Sequence, residues 1–180
     1  KSLNIVLKPG EVKRTKDFTI KGTKTIHGDP TGVGFQMKAG NITVSYTSDT
    51  KYFPELYKYH KDADILIASV LRPGTKSIKG HMCTNNFSNL VNEVKPKLAI
   101  MTHFGFKMLN SNPVNEAKKV MRKTGVKTIA AFDGLKIDID ENNIEKSKYS
   151  ALKNHLMKNS NFNEVFPSDV EEKKPKKIFK

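Results

Sequence analysis

The chain has 180 residues, 37% of them apolar, and a formal net charge of +14. This length suits one domain with a hydrophobic core of its own, and the apolar content excludes a fully disordered chain. There is no run of about 18 apolar residues, so we expect no membrane-spanning helix, and the first residues do not resemble a signal peptide. The single cysteine, Cys83, excludes an intramolecular disulfide and indicates a reducing, cytoplasmic compartment.

The basic charge, with a pI of about 9.7, favours anionic partners such as nucleic acid or phosphorylated metabolites. Only Arg14, Arg72 and Arg122 are arginines, although bidentate phosphate binding favours arginine over lysine. A lysine-rich surface that serves solubility is therefore the preferred explanation, and nucleic-acid binding is the alternative.

Apolar and β-branched runs predict eight strands along the chain. Two-residue turns at Gly40-Asn41 and Asp133-Gly134 predict hairpins, the second between the last two strands. The predicted strands are Asn4–Leu7, Asp17–Ile20, Gly34–Lys38, Ile42–Tyr46, Ile65–Ser69, Leu98–Thr102, Thr128–Phe132 and Leu135–Ile139.

Three helices are predicted between these strands. The first covers Tyr52–His60. The second is capped by Thr84 and buries a stripe of Phe87, Leu90, Val91 and Val94. The third opens at Asn112-Pro113, ends at Gly125, and turns Val114, Ala117, Val120 and Met121 inward. Strands that alternate with helices predict an α/β layered fold.

Residues from about 141 differ in pattern from the preceding 140. An amphipathic helix is predicted over Ile144–Lys158, and the lysine-rich end after it favours a solvated tail over a nucleic-acid arm. We therefore expect a domain over residues 1–140 and a helical extension with a tail over residues 141–180.

Four polar residues lie at or beside the ends of apolar runs. Asp49 follows the apolar strand in ITVSYTSDT, and His103 follows the one in LAIMTHFG. His27 precedes GDPTGVGF, and His81 precedes the second helix. Each has a simpler explanation: Asp49 as a helix N-cap, His103 as a hydrogen-bonded core histidine, and the other two as loop residues. Together they suit a metal site, because imidazole and carboxylate are metal ligands and α/β sheets gather ligands at strand ends. His60 and His155 are interpreted as structural or solvated.

The ordered motifs HGDPTGVGF, YTSDT, GHMCTNN and LAIMTHFG resemble the second half of the metallo-β-lactamase superfamily. The likeness extends over about residues 25–139. It is greatest to the ribonuclease Z-like branch and to archaeal metal-dependent hydrolases.

The resemblance implies a four-layer αβ/βα sandwich with two divalent metals, usually zinc, with iron or manganese as alternatives. His27 and His103 would each bind one metal, Asp49 would bridge both, and His81 would assist at the phosphoryl oxygen or leaving group. The implied activity is that of a hydrolase, a phosphodiesterase or nuclease acting on phosphoesters, including nucleic acid.

Two departures from the family pattern affect this interpretation. The H-x-H-x-D-H signature of the first half is absent, and Met82-Cys83 follows His81 where the ribonuclease branch has small hydroxyl residues. Cys83 is interpreted as a small buried residue rather than as a soft ligand. We expect the chain to be the C-terminal part of a longer polypeptide, too short of ligands to bind metal tightly or to act alone.

Two consequences remain as expectations. The chain should associate with itself or with the absent N-terminal half, because an apolar sheet face would otherwise lie uncovered. The alternative function is a non-catalytic basic module that binds nucleic acid or a partner protein.

Overall fold

A mixed β-sheet forms the framework of the first of two units, Lys1–Ala130 and Ala131–Lys180. The computed structural model describes residues 6–144 and 148–150. The sheet order is β1-β2-β3-β4-β5-β7-β8, with β6 paired to β5 on a side branch. Its strands are β1 (Val12–Arg14), β2 (Thr19–Lys24), β3 (Val33–Ala39), β4 (Ile42–Tyr46), β5 (Ile65–Arg72), β6 (Met82–Cys83), β7 (Leu98–Thr102) and β8 (Thr128–Ala130).

The direction of the strands decides which loops meet. Strands β1 to β4 are antiparallel neighbours, whereas β4, β5, β7 and β8 run parallel. Two antiparallel steps make β2 parallel to β4. Strands β2, β4, β5 and β7 therefore end at one side of the sheet, which we call the carboxyl edge.

Four helices contribute to a single core with the sheet. They are α1 (Leu56–His60), α2 (Thr84–Val94), α3 (Phe106–Asn110) and α4 (Pro113–Thr124). Alternate residues of β5, Leu66, Ala68 and Val70, pack with Phe87 of α2 and Val120 of α4 in one buried cluster. The α/β class predicted from the sequence is confirmed.

Helix α4 begins and ends as its sequence predicts. The Asn112 side chain accepts a hydrogen bond from the backbone N–H of Val114, and Gly125 ends the helix with a φ of 72°. Ala117 and Val120 are buried, but Met121 is 40% exposed, so its predicted inward position is wrong.

Several predicted elements in the first unit need correction. Val6 and Leu7 of the predicted first strand are not in a strand, and the edge strand β1 lies further along the chain. Helix α1 begins at Leu56 rather than Tyr52, with Glu55 at its N-cap. The five-residue helix α3 has no counterpart in the prediction, because it is too short for a clear apolar period.

The second unit also differs from the prediction. Strand β9 (Lys136–Asp138) pairs antiparallel with β10 (Lys148–Ser150), so the hairpin predicted at Asp133-Gly134 between the last two predicted strands is wrong. The helix predicted over residues 144–158 is contradicted at β10. The remainder of that helix beyond β10, His155 and the lysine-rich tail lie outside the described residues.

Within the described residues, no helix has the length and apolar character needed to cross a membrane.

Candidate metal centre

The carboxyl edge brings together all four polar residues singled out in the sequence. His27 follows β2, Asp49 follows β4, His103 follows β7, and His81 immediately precedes β6, which pairs with the last residues of β5. His27, Asp49 and His81 each offer a ligand atom, and these three atoms lie within 4.8 Å of one another.

His103 is the fourth member of the cluster. Its Nε2 lies 3.4 Å from Oδ2 of Asp49, and its ring stacks on that of His81 with centroids 5.7 Å apart. The His27 and His81 rings meet edge to face at 4.9 Å. Three imidazoles and one carboxylate therefore share one small region at the sheet edge.

Two backbone positions at this edge adopt a conformation that is uncommon for residues other than glycine. His103 has a φ of 60°, and Ser48, directly before Asp49, has a φ of 55°. Both residues turn the chain sharply where a strand has just ended. Such positions recur at functional sites, where the surrounding structure maintains a sparsely populated backbone conformation.

Thr50 holds the Asp49 loop against the His27 loop. Its buried Oγ1 accepts a hydrogen bond from the backbone N–H of Ile26 at 2.9 Å and donates one to the carbonyl of Lys51. The backbone N–H of Lys51 in turn donates to the carbonyl of Ile26 at 2.9 Å. The residue before His27 and the residue after Asp49 are thereby fixed to each other.

Two glycines allow the close packing of the site. A Cβ at Gly34 would lie 2.6 Å and 2.7 Å from the carbonyl oxygens of Tyr46 and Thr47, just before Asp49. Gly80 has a φ of 78°, and a Cβ there would lie 3.0 Å from the His27 ring. A side chain at either position would displace a segment that carries a site residue.

His81 is the member of the cluster whose surroundings disfavour a charge. Burial lowers the pKa of its imidazole, and the neighbouring His27 and His103 lower it further, while Asp49 partly offsets them. Its Nδ1 is buried without a hydrogen-bond partner among the described residues. The neutral imidazole therefore keeps a buried nitrogen that no described protein group satisfies.

His27 has one weak hydrogen bond of its own. Its Nδ1 accepts from the backbone N–H of Asp29 at 3.3 Å. In that neutral tautomer the proton lies on Nε2. Binding a cation through Nε2 would move the proton to Nδ1 and break a hydrogen bond that is already long.

The simpler explanations of Asp49 and His103 are wrong, whereas that of Cys83 is confirmed. Asp49 is not a helix N-cap, since Glu55 occupies that position in α1. His103 is exposed rather than a core histidine. Cys83 is fully buried, its Sγ donates to Oδ1 of Asn86, and it lies outside the donor cluster.

His60 is the structural histidine of the described residues. It is fully buried, and its Nδ1 lies 2.6 Å from Oγ of Ser45. Burial lowers the pKa of His60 to about 4, so its imidazole is neutral at physiological pH.

Three supporting residues had no signal of their own in the sequence. Thr50 and Gly80 stand in the motifs YTSDT and GHMCTNN, where neither was assigned a role, and Glu116 stands on the third predicted helix. Glu116 is only 1% exposed. Only the three-dimensional contacts of these residues give them a role.

Comparison with known proteins agrees with the geometry of this edge. The family model for the beta-lactamase superfamily domain matches residues 4–104, which is more than half of the chain. The chain belongs to the metallo-β-lactamase superfamily.

Relatives of this superfamily member come from archaea and bacteria. It is 41% identical over 150 residues to the protein MJ1374 of Methanocaldococcus jannaschii, a match that covers 82% of this chain and 54% of the relative. It is 30% identical over 120 residues to the probable metallo-hydrolase YhfI of Bacillus subtilis, with coverages of 64% and 48%. The chain spans about half the length of the curated relatives it matches.

The fold agrees as well. The crystal structure of the metallo-β-lactamase fold protein YhfI from Bacillus subtilis superimposes with a TM-score of 0.63 at 23% identity, covering 71% of this chain and 52% of that one. The chain therefore has the metallo-β-lactamase fold, and membership of this family implies divalent metal binding.

The residues present fit a divalent cation. Neutral imidazoles and a carboxylate are suitable ligands for zinc, iron or manganese. Ligand atoms on one tetrahedral zinc lie about 3.3 Å apart, given bonds of about 2.0–2.1 Å. The 3.4 Å between Nε2 of His103 and Oδ2 of Asp49 matches this spacing, and His81 offers a ligand atom within 4.8 Å of those of His27 and Asp49.

Proposed function

We propose that the protein is a metal-dependent hydrolase that acts on phosphoesters, as a phosphodiesterase or nuclease, with zinc as the first choice of metal. The family supports hydrolysis with divalent metal, and the sequence motifs resemble the ribonuclease Z-like branch. One observation carries the proposal. His27, Asp49 and His81 place ligand atoms within 4.8 Å of one another, and His103 approaches the same carboxylate at 3.4 Å.

In this proposal, three residues hold the cations. His27 would hold one cation, His103 would hold the other, and Asp49 would contribute its carboxylate to both. The bound cations would supply a hydroxide at neutral pH and stabilise charge on the phosphoryl oxygens. The protein's part is to fix the spacing of these three side chains through β2, β4 and β7.

His81 has the remaining chemical role. Its neutral imidazole, favoured by the lowered pKa, presents an N–H that can donate a hydrogen bond to a phosphoryl oxygen or to the departing oxygen. Its stacking on His103 keeps it beside the metal-binding residues.

Substitution of His81 tests this division of roles. In the full-length gene product, His81→Ala should lower phosphodiester hydrolysis by about 10²–10³-fold and leave bound metal nearly unchanged. Metal analysis and turnover of bis(p-nitrophenyl) phosphate, with and without a chelator, measure the two effects. Full activity in the presence of a strong chelator would contradict the proposal.

The chain alone should bind metal weakly. In the proposed arrangement, His27 and Asp49 give only two ligands to one cation, and His103 and Asp49 give only two to the other, whereas zinc sites take three or four protein ligands. We propose that further ligands come from residues outside this chain, supplied by a longer polypeptide or an associated one. Titration of the 180-residue chain with zinc measures this, and tight stoichiometric binding would contradict it.

A basic binding module is the second candidate, and the net charge of +14 favours it. Binding to single-stranded RNA should then fall steeply with salt and weaken when Lys173–Lys180 are deleted. Hydrolysis of a small phosphodiester should be insensitive to that deletion.

A further inference from the structure

His81 is carried by the segment that leads from β5 through β6 to the first residue of α2, Gly74–Thr84, which we call the His81 loop. Its residues from Gly74 to Lys79 are exposed and contribute nothing to the core. Inside the loop, the backbone N–H of His81 donates to the carbonyl of Ile78 at 3.1 Å. The exposed part of the loop is therefore positioned by what flanks it, which is Gly74 at one end and, at the other, the buried strand β6 followed by Thr84.

A single buried carboxylate holds both ends of this loop. Glu116 on α4 accepts a hydrogen bond from the backbone N–H of Gly74 at 3.0 Å and another, through the same Oε2, from the hydroxyl of Thr84. Its other oxygen accepts from Nζ of Lys119. The backbone N–H of Asn85 also donates to the carbonyl of Gly74 at 2.9 Å, which closes the loop.

The pKa of Glu116 shows how these hydrogen bonds offset the burial of its carboxylate. Burial by itself would raise the pKa of the carboxyl, but the hydrogen bonds from Lys119, Thr84 and Gly74 outweigh it and lower the pKa. Glu116 is thus ionised at neutral pH, and both of its carboxylate oxygens accept hydrogen bonds. An apolar residue would pack α4 against α2 at least as well, but it would hold neither end of the loop.

The position of the loop is transmitted directly to the site. Gly80 packs its backbone against the ring and Cα of His27, and the next residue is His81. Since Nδ1 of His81 has no partner among the described residues, that nitrogen does not anchor the ring. The direction of the imidazole follows from the backbone of the loop and from ring contacts with His27 and His103.

We propose that Glu116 is the positioning residue of His81: through Gly74 and Thr84 it fixes the loop that directs this imidazole at the metal-binding residues. The proposal extends the proposed function, since it assumes that His81 acts in the reaction. It assigns no contact between Glu116 and the substrate.

The test follows the His81 ring itself. Imidazole NMR signals of the ¹⁵N-labelled 180-residue chain are compared at about pH 8, where free imidazole is neutral. Glu116→Gln and Thr84→Val should each shift or broaden the His81 signals and leave those of His60 in place. Thr84→Ser, which keeps the hydroxyl, should restore the signals of the unsubstituted chain.

A matched control separates positioning from stability. Val120→Ala removes buried volume from the same helix without touching the loop, and it should lower the melting temperature while His81 signals stay in place. In the full-length gene product, Glu116→Gln should lower kcat for bis(p-nitrophenyl) phosphate about tenfold with KM little changed.

The outcomes distinguish the two proposals. Unchanged His81 signals in a folded Glu116→Gln chain, together with a lowered melting temperature, would overturn the positioning role and leave the hydrolase proposal intact. If that variant does not fold, the Thr84→Val and Thr84→Ser pair decides in the same way. Displaced His81 signals in a protein that hydrolyses no phosphodiester would overturn the proposed function alone.

Discussion

His60 and His81 are two histidines whose pKa burial lowers, yet they lie in opposite surroundings. His60 is enclosed in the core, and the one described hydrogen bond of its ring joins it to the hydroxyl of Ser45, which in turn donates to the carbonyl of Phe35. His81 is half-buried at the carboxyl edge among Asp49 and two further imidazoles. Both have a buried nitrogen without a partner in the described part of the chain.

The difference between them shows what separates a structural histidine from a candidate site. Desolvation and an unsatisfied nitrogen occur in both, so neither feature identifies chemistry. What distinguishes His81 is convergence, because other potential ligands arrive from β2, β4 and β7 at one place. The four predictions below test the separation between the core and the edge, beginning with the largest expected effect.

Removing the carboxylate of Asp49 should affect the carboxyl edge and leave the core unchanged. In the full-length gene product, Asp49→Ala should lose bound metal and at least about 10³-fold in hydrolysis, because it removes the carboxylate proposed to bind both cations. Metal analysis and turnover measure this. Asp29→Ala is the control, since this exposed carboxylate beside His27 lies outside the donor cluster. Equal metal content in the two variants would show that Asp49 binds none.

Gly34→Ala should disturb the framework beneath the site. Its Cβ would meet two backbone carbonyl oxygens, of Tyr46 and Thr47, at 2.6 Å and 2.7 Å, and these cannot move as a flexible side chain can. We expect a loss of about 3 kcal/mol or more in the free energy of unfolding. Gly28→Ala is the control, because nothing lies within 4 Å of its Cβ and its φ is not in the left-handed region. Denaturant unfolding of both variants measures the difference, and similar midpoints would contradict the expectation.

His60 should make the free energy of unfolding fall in acid. With a pKa of about 4 in the folded chain and about 6.5 when unfolded, the unfolded state binds more protons between these values. Stability is therefore present above about pH 6.5 and is lost as the pH falls to about 4, by up to about 3 kcal/mol.

Replacement of this histidine tests the assignment. His60→Leu should flatten the dependence of unfolding free energy on pH in that window, as measured by urea unfolding at several pH values. A slope equal to that of the unsubstituted chain would show that other groups cause the acid sensitivity.

Thr50→Val should have the smallest effect of the four substitutions. It should change both the stability of the folded chain and the metal affinity of the carboxyl edge. Valine keeps the volume but leaves the N–H of Ile26 without its acceptor, at a cost of about 1–2 kcal/mol. Since this contact ties the His27 loop to Asp49, metal affinity of the full-length gene product should also fall by about tenfold. Thr50→Ser should keep both properties. Calorimetric titration and thermal unfolding provide the measurements, and unchanged affinity in the valine variant would show that the loops hold each other without it.

Much of the central sheet is predictable from local pattern. Strands β4 and β7 have the predicted bounds, Ile42–Tyr46 and Leu98–Thr102, since each is a short apolar run with clear ends. Helix α4 is predictable from Asn112-Pro113 and Gly125, because capping is decided by adjacent residues. Elements without such signals were missed: β1 has three residues, and α3 has five.

Pairing in the second unit could not be predicted in this way. Asp133-Gly134 is a good local turn signal, but β9 pairs with β10 instead. A turn signal states that the chain can reverse there and leaves open which strand will be the partner. Glu116 illustrates the same limit, because its burial depends on Gly74 and Thr84, which are 42 and 32 positions away.

The sequence by itself placed His27, Asp49, His81 and His103 at strand ends or in loops beside them, and so identified them as one ordered set. Those positions follow from strand period and turn residues, which are local properties. Only the tertiary structure decided that the four meet at one edge, since this depends on the direction of β2, β4 and β7 in the sheet. It also decided that Thr50, Gly34 and Glu116 support the site, because their contacts lie between segments far apart in the chain.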